Sequence, residues 1–282
     1  MSVGGSDIHI YKVYVILYAM PLSPELRRLP GIAASFYRAG LLNELVTGMI
    51  KEETGRSLVE DARKLLWELE TKTKVNFSGL ENIPKDTGCL IVFNHPNMDV
   101  LLPAMLKLFV QIYDVNGQQV KLAMASEISL TTSNFNGKTT LPGSVQLLER
   151  FHRMYSENII SVPTAEDRKD FLGGRTSAVR KMMRALKEKN IVLMSPEGHI
   201  EKGGEISPTE TYHEGSGKLA ILASKMGIPT VPVAVWAEIP KEVEMVVGKP
   251  FFITTEKASL ASTEAMFEIA KYLPENLRGP FR

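Results

Sequence analysis

The sequence predicts an α/β protein: a mostly parallel central sheet flanked by helices, with a helical N-terminal region ahead of it. Three observations predict this. Between residues 73 and 236, short apolar runs alternate with amphipathic segments, the pattern of strands joined by crossover helices. Upstream of residue 73, apolar residues recur at three- and four-residue spacing, as on a helix face. The apolar runs end in polar turns rich in Pro and Gly, and ligand sites of parallel sheets gather beyond such strand ends.

In chain order, residues 1–72 read as the helical region and 73–282 as the α/β domain. Residues 8–20, "IHIYKVYVILYAM", form an apolar stretch interrupted by His9 and Lys12. It is shorter than the roughly 20 residues a spanning helix needs. Tyr11, Tyr14 and Tyr18 suit a segment lying in a membrane interface; an ordinary docking helix is the other reading. Residues 32–50 are helix-like, although Gly40 and Gly48 weaken the pattern. In "SLVEDARKLLWELE", Leu58, Val59, Ala62, Leu65, Leu66 and Leu69 make one apolar face, and Ser57 with Glu60 forms a capping box.

Strands are expected at 74–79, 89–93, 121–125, 158–162, 191–195 and 230–236, and helices at about 99–110, 142–156, 175–188 and 215–226. A further strand is expected around "EMVVGKPFFIT" and a helix around 262–273. Residues 129–142, "SLTTSNFNGKTTLP", read as a polar, mobile loop.

The chain has 282 residues, 44% hydrophobic and 23% charged, which suits a globular protein with a sizeable core. Its formal net charge of +1 gives no global attraction to nucleic acid, and no nucleic-acid partner is expected. Cys89 is the only cysteine, so neither an intrachain disulfide nor a cysteine zinc site can form. No basic-then-apolar signal peptide pattern opens the sequence.

Two motifs at strand ends could carry chemistry. The first is Asn94-His95-Pro96-Asn97-Met98-Asp99. A histidine exchanges protons near neutral pH, and a carboxylate on one ring nitrogen would leave the other free as a base. If a helix begins near His95, the i,i+4 spacing sets both side chains on one face. The alternative is a structural histidine followed by a first-turn helix acid. The second motif is "VLMSPEGHIEKGGE", in which Pro196 and Gly198 make a turn that can present Glu197. The alternative there is a plain corner with a solvated glutamate. Gly217-Lys218 lacks phosphate-loop spacing and is followed by Leu219, so no nucleotide loop is expected. His95, Asp99, Glu197, His199, His213 and Glu214 are metal-ligand types but show no paired helical spacing, so no metal is expected.

Taken together, three blocks resemble the glycerolipid acyltransferases, including the 1-acylglycerol-3-phosphate acyltransferases. They are "FSGLENIPKDTGCLIVFNHPNMDVLLP", "GRTSAVRKMMRALKEKNIVLMSPEGHI" and "HEGSGKLAILASKMGIPTVPVAV", and the resemblance spans about residues 73–255. It implies an acyltransferase that moves a fatty acyl group from acyl-CoA or acyl-carrier protein to a hydroxyl. The acceptor would be a glycerol phosphate or a lysophospholipid. It implies His95 as general base and Asp99 as its orienting carboxylate. On the substrate side it implies Asn94 beside the base, and Glu197, Gly198 and His199 in the block that binds the acceptor's phosphate end. Pro232 falls in the block associated with the acyl-binding side. No cofactor is implied beyond the acyl donor as co-substrate. Work on acyl chains implies a peripheral enzyme on the cytoplasmic side of a membrane, with the lipid surface as partner.

Three departures from the family pattern stand out. Three residues, not four, separate His95 from Asp99. The Thr-Arg expected after Glu-Gly is His199-Ile200, leaving Lys202 as a substitute that offers a point charge instead of a fork. The arginine expected after the third strand is replaced by Pro163 or Thr164, with Arg168 and Arg175 as the nearest candidates. A non-catalytic lipid-binding protein of the same fold and a metal-dependent hydrolase on His95, Asp99 and Glu197 are the competing readings.

Overall fold

The computed structural model describes residues 40–126, 131–134, 137–140, 144–163, 171–201, 203–239 and 242–282. The expected interface segment at 8–20 lies outside them, as do Arg168 and Lys202.

Two helices, α1 (Gly40–Ile50) and α2 (Leu58–Glu70), precede the sheet. The capping expectation holds on one side: the Ser57 hydroxyl accepts from Glu60 N at 3.3 Å, satisfying a first-turn amide. Then follow β1 (Lys74–Ser78), β2 (Cys89–Phe93), α3 (Met98–Asn116) and β3 (Val120–Ala125). After β4 (Thr131–Asn134) and β5 (Gly137–Thr140) come α4 (Ser144–Met154), β6 (Ile159–Val162), α5 (Phe171–Lys187) and β7 (Ile191–Met194). The chain ends with α6 (Glu214–Lys225), β8 (Thr230–Ile239), β9 (Glu242–Val247) and α7 (Ala258–Ala270).

Seven strands form one sheet in the order β1-β9-β8-β2-β7-β3-β6. Neighbours pair in parallel except β8 and β9, which are antiparallel. The fold class is therefore the one expected: α/β, mostly parallel, flanked by helices.

Parity along β2 assigns the two faces. Leu90 and Val92 pack with residues of α5, α6 and α7, while Cys89, Ile91 and Phe93 pack with α3. Side chains alternate across a strand, so a strand buried on both faces reads as an unbroken apolar run. The path of the chain accounts for the layers. It leaves β2 toward β3 and β6 through α3, then returns to β7 and β8 through α5 and α6. Right-handed crossovers running in opposite directions place their helices on opposite faces.

Three expectations change. Residues 131–140, expected within a mobile loop, contain the antiparallel pair β4–β5, with Thr131 opposite Thr140. Four β-branched threonines there suit paired strands. Beyond β9, Phe251 makes only an isolated bridge to Thr230, so "FFIT" is not a strand. Finally, α3 runs on to Asn116 and ends at Gly117, whose φ of 64° closes the helix.

Candidate active site

The site lies where β2 and β7 end side by side. In their parallel register Cys89 faces Ile191 and Val92 faces Met194. Carried past the strand ends, the same offset sets His95 level with Glu197. A hydrogen bond joins them there: His95 N donates to Glu197 Oε2 at 3.0 Å. Glu201 N donates back to His95 O at 2.8 Å. The histidine backbone is thus clamped on both sides by the turn after β7, which lies about a hundred residues further along the chain.

Asn94 anchors the same turn to the third strand. Its Oδ1 accepts from Val235 N at 2.8 Å, and its Nδ2 donates to Val235 O at 2.9 Å and to Glu201 Oε2 at 3.3 Å. Glu197 is 0% exposed, and its Oε1 accepts from Ser207 N at 2.9 Å. Asn94 and Glu197, both expected on the substrate side, therefore spend their polar atoms inside the protein. Buried polar groups are held this way because an unpaired one is costly.

Among the described residues, the His95 ring makes one hydrogen bond, between Nδ1 and Pro96 O at 3.3 Å. A carbonyl can only accept, so Nδ1 carries the proton and Nε2 is left as the basic nitrogen. Burial holds the ring's pKa below its ordinary value, opposed by the Pro96 bond and the Glu197 charge, and so favours the neutral ring.

Asp99 sits in the first turn of α3, and among the described residues its carboxylate makes no hydrogen bond to the ring. The i,i+4 expectation needed a helix from His95. The helix instead starts at Met98, behind the N-cap Asn97, whose side chain accepts from Val100 N at 3.2 Å. His95 lies in the chain before the cap, so helical facing does not apply. Partial burial raises the Asp99 pKa.

The turn after β7 needs its glycine. Gly198 has φ of 67°, and a Cβ there would stand 2.1 Å from His213 Cδ2. His199 binds back into the turn, Nδ1 to Glu197 O at 2.8 Å and Nε2 to Ser207 Oγ at 3.0 Å. Arg175 reaches the end of β6, its Nε donating to Pro163 O at 3.1 Å. Its charge, after burial, helps hold the His213 pKa down, which brings Arg175 and His213 into one neighbourhood. Glu201 and Ser207 were not among the expected site residues, and His213 was weighed only as a metal-ligand type. Glu201 carried a signal in retrospect: it lies four residues after Glu197 in a glycine-rich turn. Among the described residues, no group of three or more His, Cys, Asp and Glu is arranged to hold a metal ion.

The acyltransferase family model matches residues 74–236, more than half of the chain. The chain belongs to the acyltransferase family. The matched span of this acyltransferase runs from β1 into β8 and contains His95, Glu197 and Glu201. Among solved structures, it is similar to the 1-acyl-sn-glycerophosphate (LPA) acyltransferase PlsC from Thermotoga maritima. The two share 19% identity at a TM-score of 0.46, over 84% of this chain and 92% of that chain. No curated protein matches the sequence significantly. Among the described residues, no helix of the acyltransferase is long and apolar enough to cross a membrane.

Proposed function

We propose that this acyltransferase moves a fatty acyl group from an acyl thioester to the free hydroxyl of a lysophosphatidic-acid-type acceptor, with His95 as general base. The observation that carries this reading is the His95 ring: Nδ1 is bonded to the Pro96 carbonyl, Nε2 makes no hydrogen bond among the described residues, and burial favours the neutral ring. Nε2 takes the proton of the acceptor hydroxyl as its oxygen attacks the thioester carbonyl. The tetrahedral intermediate collapses with cleavage of the C–S bond. The departing thiolate recovers the proton from the imidazolium, so the enzyme ends unchanged. The amides of Met98 and Asp99 have no acceptor among the described residues and stand at the start of α3, which suits them to a developing oxyanion. The donor is acyl-CoA or acyl-carrier protein, and neither a metal nor a further cofactor enters these steps.

The acceptor's phosphate calls for cations. Arg175, with Arg168 and Lys202 outside the described residues, is the proposed source, in place of the arginines the family pattern would supply. Asp99 acts at longer range on the imidazolium charge, because the Nδ1 proton already has an acceptor. Met98 in the first turn of α3 and Ile200 on the turn after β7, 49% and 50% exposed, flank the site. They suit contact with the lipid in which the substrates reside, at the cytoplasmic side of a membrane.

The test is transfer of labelled acyl groups from acyl-CoA to lysophosphatidic acid. His95→Ala is expected to lower kcat by about 10²–10⁴-fold with an unchanged Tm. Asp99→Asn is expected to cost about tenfold at most, since it removes a charge and leaves the tautomer in place. Near-wild-type turnover by His95→Ala would sink the assignment.

A further inference from the structure

Two buried carboxyl groups lie under the His95 turn, and among the described residues no cation pairs with either. Glu197 is 0% exposed and Glu201 4% exposed. Glu201 Oε2 accepts from Asn94 Nδ2, but Oε1 is buried without a partner. The Glu197 carboxyl is close enough to act on it, and both its charge and its side chain raise the Glu201 pKa. Two ionised carboxylates can only accept, so as a pair of anions they would repel inside the protein. One added proton turns the contact into a hydrogen bond and satisfies the orphaned oxygen.

We propose that Glu201 is a positioning residue that keeps its proton at neutral pH and donates it from Oε1 to Glu197, locking the Asn94-His95 turn in place. The lock has three members. Glu197 holds His95 N, the Glu201 backbone holds His95 O, and the Glu201 carboxyl holds Asn94. Ionising Glu201 sets a second negative charge against the carboxylate that fixes the base. The inference rests on the reading of His95 as that base.

Chemistry and surroundings agree. Burial first, then the Glu197 charge, push the Glu201 carboxyl up from an ordinary 4.5 to about 9. The groups that face it are Glu197 on its own turn, His95 and Asn94 after β2, and Tyr212 ahead of α6. Tyr212 donates its hydroxyl to Ser207 O at 2.8 Å, and burial followed by the two glutamates raises its pKa well above 10, so it stays neutral throughout the relevant range. His199 acts on the cluster through His95, whose pKa it lowers. Because folding raises the Glu201 pKa, its proton stabilises the fold most below the unfolded value of 4.5. That stability is lost as pH climbs toward about 9.

The test compares the wild-type protein with Glu201→Gln and Glu201→Ala. Tm is read without substrate from pH 6.5 to 10, and acyl transfer over the same range. Glutamine offers a permanent N–H in place of the acid proton. Glu201→Gln is therefore expected to keep wild-type kcat within about threefold at pH 7, while Glu201→Ala loses about tenfold or more. The wild-type Tm should fall as pH rises to 9, and the Glu201→Gln Tm should fall less. Wild-type kcat should drop about tenfold for each pH unit above the Glu201 pKa, a limb that Glu201→Gln lacks. Superimposable Tm profiles for wild type and Glu201→Gln would overturn the proposal, as would equal losses in the Gln and Ala variants. If no variant transfers acyl groups but the Tm profiles still differ, the positioning role stands and the catalytic reading of His95 fails. A Glu201→Ala chain that does not fold leaves the wild-type and Gln profiles to decide.

Discussion

His95 owes its chemistry to two neighbours that supply no side chain to the ring. The Pro96 carbonyl fixes the tautomer, and the Glu197 carboxylate holds the backbone amide. With its pKa below 6.5, transfer should rise with pH along an acid limb and then level off as the ring loses its proton. Gly198 is the other residue on which the turn depends. Its φ of 67° disfavours any side chain, and a Cβ would meet the His213 ring at 2.1 Å. Gly198→Ala should therefore destabilise the protein by about 1–3 kcal/mol, read as a lower Tm or denaturant midpoint. An unchanged Tm would mean that the turn and His213 move apart at little cost.

Elements carry these residues only as well as they pack. The α6 helix opens with small residues because α7 crosses it closely: a Cβ on Gly217 would stand 1.9 Å from Ala258 O. Ser262 on α7 adds a hydrogen bond from its hydroxyl to His213 O at 2.9 Å, tying α7 to the residue that borders Gly198. Gly217→Ala is expected to force the two helices apart and cost about 1–3 kcal/mol, checked by chemical denaturation. The same change in an isolated helix would be favourable by roughly 1 kcal/mol, so the sign of the effect separates packing from propensity. At the other end of the site, α3 keeps its first turn through the Asn97 cap, with Pro103 inside the helix unable to donate a backbone bond.

At the scale of the whole molecule, the sheet order makes the site. β7 inserts between β2 and β3, and β8 pairs with the other edge of β2, so the partners of β2 follow it far along the chain. The chain reverses direction there, and the loops leaving β2 and β7 meet beyond the sheet's carboxyl edge. Met98, opening α3 after the first loop, and Ile200, on the second, are both exposed. Replacing both by Ser should weaken co-sedimentation with phospholipid vesicles, while transfer to a short-chain, water-soluble acceptor stays within about threefold. Equal sedimentation of the variant and the wild type would show that other residues make the membrane contact.

Much of this was legible in the residues themselves. The apolar run Cys89–Phe93 named a strand, Ser57 named a helix start, and the polar ends of two strands named His95 and Glu197, because apolar patterning, capping and turn chemistry are local rules. Partners were not legible in the same way. The threonine pair of β4 and β5 looked like a loop because its pairing partner, not its polarity, makes it a strand. The spacing of His95 and Asp99 suggested a pair, but the position of the Asn97 cap puts His95 outside the helix. Glu201 looked like one more acid in a polar turn. The sequence by itself determined the fold class and the family and singled out the proposed base; only the tertiary structure decided what holds that base. Local composition sets the element, whereas hydrogen bonds between His95, Glu197 and Glu201 depend on the register of two strands that the chain brings together only when it folds.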